Sequence, residues 1–144
     1  MFLGEFKHTL DVKGRVSLPA RFREEMTGRL VVSKSFENCL RIYPVDRYES
    51  LLERLQAGND FDPRQRSVRR FFTAGAVDVQ IDGAGRVKIP ASLQEFAGLT
   101  KDVVINGNID HIEVWDAEAW AAYDAETTEH IEENAAHLAG GGVL

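Results

Sequence analysis

Two arginines carry the chemistry most readily read from this chain. Arg15 and Arg86 each stand four residues after an aspartate, Asp11 and Asp82, and directly after a glycine, Gly14 and Gly85. The planar guanidinium fork can bind guanine O6 and N7, or two phosphate oxygens, through parallel hydrogen bonds. A glycine lets the backbone turn tightly and approach a partner closely. An aspartate four residues earlier can orient the fork through a charge-assisted bond. The same spacing also suits a local salt bridge that does nothing but staple a hairpin. Spacing alone leaves both readings open.

The elements that must position these arginines are themselves repeated. Asp11–Glu24, DVKGRVSLPARFRE, returns as Asp82–Glu95, DGAGRVKIPASLQE, with seven of fourteen positions identical. With the offset lengthened from 71 to 72, Leu40-Arg41-Ile42-Tyr43 falls over Ile112-Glu113-Val114-Trp115, and Tyr48 over Trp120. Self-similarity at a fixed spacing means two copies of one small unit. Units of this size rarely bury enough apolar surface alone, so one shared core is expected.

Within each copy the pattern reads as strand, glycine turn, strand, short helix after Pro19 or Pro90, then a strand pair. Asp46-x-x-Glu49 looks like a capping box opening a helix with Tyr48, Leu51, Leu52 and Leu55 on one face. Asp62-Pro63 opens another, with Val68, Phe71 and Phe72 as its apolar stripe. A last helix from about Asp116 carries Trp120, Tyr123, Thr127 and Ile131. The expected layout is a single pseudo-two-fold domain over 1–131. It comprises repeat 1 at about 5–59, a linking helix at about 62–75, repeat 2 at about 76–131, and a disordered tail over 132–144.

Hydrophobic and charged fractions of 44% and 28% place the chain among soluble globular proteins. No apolar run approaches the roughly 18 residues of a membrane helix, and the amino terminus lacks a signal peptide's regions, so a cytoplasmic location is expected. Cys39 is the one cysteine, which leaves no disulfide pair and no cysteine-based metal site. The net charge of −6 opposes nucleic acid until it is mapped. Residues 1–71 hold 14 Lys/Arg against 10 Asp/Glu, whereas 72–144 hold 3 against 13. Such asymmetry suits one anion-binding face.

The copies differ in charge around a common frame. Lys13, Arg21 and Arg23 become Ala84, Ser92 and Gln94, and only Lys88, over Ser17, goes the other way. By this count the first motif is the stronger anion site, with Lys13 and Arg15 leading and Arg86 supporting.

At these residues the chain resembles the MraZ family. Both Asp-x-x-x-Arg motifs run into an aliphatic-Pro-Ala step, and the start MFLGEFKHTLDVKGRVSLP is similar to that family's amino terminus. The resemblance covers Met1 to about Tyr123. It implies an α+β fold in which duplicated β-α-β-β units form an AbrB/MraZ-like double-split β-barrel with peripheral helices. It implies a transcriptional regulator in the bacterial cytoplasm, nucleoid-associated, that binds double-stranded DNA at direct repeats upstream of its own gene in the division and cell wall cluster. It implies a ring-like homo-oligomer. Carried over residue by residue, the DNA-contacting positions are Asp11, Lys13, Gly14 and Arg15, then Asp82, Gly85 and Arg86. The second motif departs from the lysine-containing version at Ala84.

Other classes fare worse. There is no phosphate loop with lysine, no nucleophile elbow and no zinc motif, and the four histidines are scattered. No enzyme, cofactor or metal is expected. An antitoxin-like DNA-binding partner of a small toxin and a purely structural ring are the two alternatives to a regulator.

Overall fold

The local patterns become strands and helices where expected; the strand pair that ends each copy stays together, while the first two strands of each copy find partners in the other. A computed structural model describes all residues, Met1–Leu144. The first copy comprises β1 (Glu5–Thr9), β2 (Arg15–Ser17), α1 (Ala20–Arg23), β3 (Arg29–Lys34) and β4 (Leu40–Pro44). Helices α2 (Val45–Gln56) and α3 (Pro63–Thr73) follow. The second copy repeats β5 (Val77–Gln80), β6 (Arg86–Lys88), α4 (Ala91–Phe96), β7 (Asp102–Asn108) and β8 (His111–Asp116), then α5 (Ala117–Glu129) and α6 (Ile131–Gly140). Each unit is therefore β-β-α-β-β, as the residue pattern reads, rather than the β-α-β-β that the resemblance implies. The extra short strand, β2 or β6, is held by pairing with its counterpart.

Six strands form one antiparallel sheet in the order β1-β7-β8-β4-β3-β5, and β2 and β6 form a separate two-stranded ribbon. The order is symmetric under exchange of copies. Arg41 faces Glu113 across β4 and β8, and Val16 faces Val87 across β2 and β6. Each of these is a residue opposite its own equivalent, so the pseudo-two-fold axis passes through both pairs. Strand β1 of the first copy pairs with β7 of the second, and β5 of the second with β3 of the first. The hydrogen-bonded ladder does not close into a barrel.

A core of 17 buried residues lies between the large sheet and the ribbon. It draws on equivalent positions of both copies: Val16 and Val87, Leu18 and Ile89, Phe22 and Leu93. The other face of the sheet is covered by α2 and α3, whose Tyr48, Leu51 and Phe72 cluster with Val31 and Tyr43 of the sheet. Trp115 stacks on Tyr123 and meets Trp120 edge to face where α5 meets the sheet.

Four local expectations change. Helix α2 begins at Val45 after Pro44, without a side-chain cap. Asp46 thus falls inside the first turn, where its charge faces the positive helix end instead of closing a capping box. Asp62 does cap α3, accepting from the Arg64 amide, but Val68 is exposed while Phe72 is buried. Residues expected in a disordered tail form α6, which stops in the glycine run. Its Ala, Leu and Glu residues are strong helix formers. The single helix expected through Ile131 breaks at His130.

Candidate anion-binding ribbon

The two motifs fold into the same turn. Asp11 Oδ1 accepts from the backbone amides of Lys13 and Arg15 at 2.9 Å each, and Oδ2 accepts from Arg15 Nε at 2.8 Å. Asp82 repeats this with Ala84 and Arg86, at 2.9 Å throughout. Gly14 and Gly85 have φ of +78° and +79°, the left-handed region that disfavours other residues. Each turn also closes by an amide bond from the glycine to the aspartate carbonyl, 3.0 Å in both.

The two readings of the Asp-x-x-x-Arg spacing therefore coexist. The aspartate staples the turn and engages only Nε of its arginine. The terminal nitrogens of Arg15 and Arg86 donate to nothing within the protein, and the side chains are 28% and 33% exposed. Val16 and Val87 point into the core. Alternation along a strand then turns Arg15 and Ser17, Arg86 and Lys88, to the outer face of the ribbon. Because the ribbon is antiparallel, Arg15 lies opposite Lys88 and Ser17 opposite Arg86. The two motif turns sit at opposite ends of one short ribbon.

The ribbon also redistributes charge between the copies. Lys88 Nζ donates to the Lys13 carbonyl, which brings a second-copy cation to the first turn. Arg23 of the first copy packs over Gly85 of the second turn, where a Cβ would collide with its guanidinium. Gln94 of the second copy packs over Gly14 in the same way. The turns are further cross-linked by Leu18 N to Gly85 O at 2.9 Å and Ile89 N to Gly14 O at 2.8 Å. Counting charge along each copy thus misplaces Arg23. It stands at the second motif, so the cations divide as Lys13, Arg15 and Lys88 at the first motif and Arg23 and Arg86 at the second. The internal symmetry of the repeat is the signal for this. Equivalent strands that pair about an axis must exchange their flanking side chains.

Part of the remaining positive charge is engaged elsewhere. Arg41 donates to Ser35 and Tyr43 and lies 4.9 Å over the Phe72 ring. Arg29 pairs with Asp78, Arg64 with Asp62 and Arg69 with Asp60. Cys39 is buried, and that burial pushes its thiol up to about 12, a packing residue rather than a nucleophile.

Hydrogen bonds from the Arg15 backbone amide, then from its side chain and from Lys13, hold the Asp11 carboxyl below its ordinary 3.8. Asp82 is lowered in the same manner by Arg86, backbone first, and by Ala84. Carboxylates with depressed folded values contribute stability that is complete above the unfolded value and is lost as pH falls through the folded one. Urea midpoints of the wild type should therefore drop below about pH 4 more steeply than those of an Asp11→Asn/Asp82→Asn double variant. Parallel curves would show that the turns do not depend on these charges.

Fold and ribbon together define a class: a pseudo-two-fold α+β protein that carries two stapled guanidinium forks on one face. A family profile described as "MraZ protein, putative antitoxin-like" matches residues 1–71 and again 72–140, once per copy. A protein named transcriptional regulator MraZ from Caldanaerobacter subterraneus subsp. tengcongensis is 40% identical over 138 residues, covering 96% of each chain. One of the same name from Leuconostoc citreum is likewise 40% identical over 138 residues. Another, from Desulfitobacterium hafniense, is 38% identical over 143 residues, spanning 99% of this chain and all of the relative. The chain belongs to the MraZ family. No helix is long and apolar enough to cross a membrane.

Proposed function

We propose that this protein is a sequence-specific DNA-binding transcriptional regulator acting through the outer face of the β2–β6 ribbon. The observation that carries the reading is the duplicated turn in which an aspartate fixes Nε and leaves both terminal guanidinium nitrogens free. An arginine held this way is preorganised for two parallel bonds to guanine or phosphate. Asp11, Gly14, Asp82 and Gly85 build the turns; Lys13, Arg15 and Arg86 meet the DNA. The names of the relatives support the regulatory role. An AbrB-like double-split arrangement is part of this reading, supported by the bridge from Leu10 to Val16 that joins the end of β1 to the ribbon, while the ladder itself stays open.

One ribbon offers little surface, while specific DNA interfaces bury on the order of 1,000 Å² of protein or more. Several subunits act together, in a ring whose members meet DNA in one orientation and so read direct repeats. The Val68–Phe72 stripe is a weak source for the ring contacts, since Phe72 packs into the core beneath α2. The site of action is upstream of the protein's own gene, in the division and cell wall cluster, in the cytoplasm and at the nucleoid. An electrophoretic shift with that upstream duplex, set against a scrambled duplex, tests the reading; equal binding to both, or to neither, would refute it. Light scattering at micromolar concentration should give several times 16.1 kDa. A small protein that copurifies stoichiometrically would favour the antitoxin reading, for which the family's description as antitoxin-like is the supporting observation.

A further inference from the structure

We propose that Arg23 is a phosphate-contacting residue of the second motif, reached across the pseudo-two-fold axis, and that Gln94 is its uncharged counterpart at the first. The inference rests on the ribbon being the DNA-binding face.

Arg23 and Gln94 are equivalent positions of the repeat and make equivalent bonds. Arg23 Nε donates to the Leu18 carbonyl at 2.9 Å, and Gln94 Nε2 donates to the Ile89 carbonyl at 2.7 Å. Leu18 and Ile89 are themselves equivalent. Each side chain then lies over the glycine of the opposite copy's turn, Gly85 or Gly14. Their structural task is the same: to clamp the end of a strand to the other copy's motif. An amide does this as well as a guanidinium. The arginine therefore brings something the clamp does not need. Its terminal nitrogens make no bond within the protein, and the residue is exposed. They stand beside the turn that also carries Arg86.

The first turn has Lys13, and Lys88 leaning on the Lys13 carbonyl. The second has Ala84 in place of the lysine. Arg23 supplies there the cation that Ala84 lacks, and fixed by Nε it keeps two parallel donors for one phosphate. A backbone contact of this kind positions the protein without reading sequence. It also makes the two ends of one subunit chemically unequal, Lys13 and Lys88 at one and Arg23 at the other.

The test uses Arg23→Gln, a substitution for which the protein already holds the structural template at position 94. The full chain is titrated with its own upstream duplex and with a scrambled duplex over a range of salt concentrations. Thermal unfolding should be unchanged. Affinity for both duplexes should fall together, and the slope of log K against log salt should flatten by about one unit for each subunit engaged. The converse variant, Gln94→Arg, should steepen the slope. Unchanged affinity and slope in folded Arg23→Gln, with Arg15→Ala impaired, would reduce Arg23 to a clamp and overturn this inference alone. A wild type that binds neither duplex would overturn it together with the proposed function. If Arg23→Gln unfolds early, Gln94→Arg decides: an unaltered slope there counts against a phosphate at this position.

Discussion

Arg15→Ala should bind the upstream duplex at least about tenfold more weakly than wild type while unfolding at the same temperature. A bidentate guanidinium contact is worth about 1–3 kcal/mol of discrimination, and subunits that engage one DNA together compound the loss. Stability should hold because Asp11 keeps its two backbone bonds to the turn, and only the bond to Nε disappears. A half-buried pair at the protein surface, still open to solvent screening, contributes little to folding. Arg86→Ala should be comparably damaging, since Arg23 and Lys88 are shared across the ribbon and neither motif is left without a neighbouring cation. Competition binding with the upstream duplex measures both. Wild-type affinity from folded Arg15→Ala would remove the ribbon from the DNA interface.

The largest loss of stability should come from Phe22→Ala. Phe22 is 2% exposed and packs edge to face against Phe2 and Phe6, with ring centroids 5.4 and 5.1 Å away. Truncating a buried phenylalanine costs about 3–5 kcal/mol, a large part of the roughly 5–15 kcal/mol that holds a domain folded. The variant also tests whether the copies fold as one body. Both tryptophans, Trp115 and Trp120, lie in the second copy, and Phe22 lies in the first. If the interleaved strands share one core, tryptophan fluorescence and far-UV dichroism should report the same lowered urea midpoint. A fluorescence transition left at its wild-type position would mean that the copies unfold separately.

Much of the site is legible in the amino-acid sequence. Gly14 and Gly85 mark turns because only glycine is at ease at positive φ, and the aspartates mark them because their carboxylates satisfy amides two and four residues on. These are interactions within five residues, which sequence spacing encodes directly. The duplication is legible too, because equal residues at equal spacing need no knowledge of contacts. The departures are also local where the competition is local. At Pro44 the chain enters α2 two residues early, and at Ile131–Gly140 helix propensity prevails over neighbouring glycines.

What the sequence by itself determined is each turn with its stapled arginine, the repeat, and the apolar positions that become the core. What only the tertiary structure decided is which side chains meet at each turn. Arg23 is eight residues from Arg15 along the chain, yet it covers Gly85; Lys88 is two residues from Arg86, yet it rests on Lys13. The physical reason is strand pairing. A three-residue strand with one buried valine cannot be satisfied by its own hairpin. It gains hydrogen bonds and a covered apolar face by lying antiparallel to its equivalent. That pairing turns the two copies about an axis through Val16 and Val87 and delivers each copy's flanking residues to the other's motif. Charge counted along the chain therefore cannot locate the cations of the site.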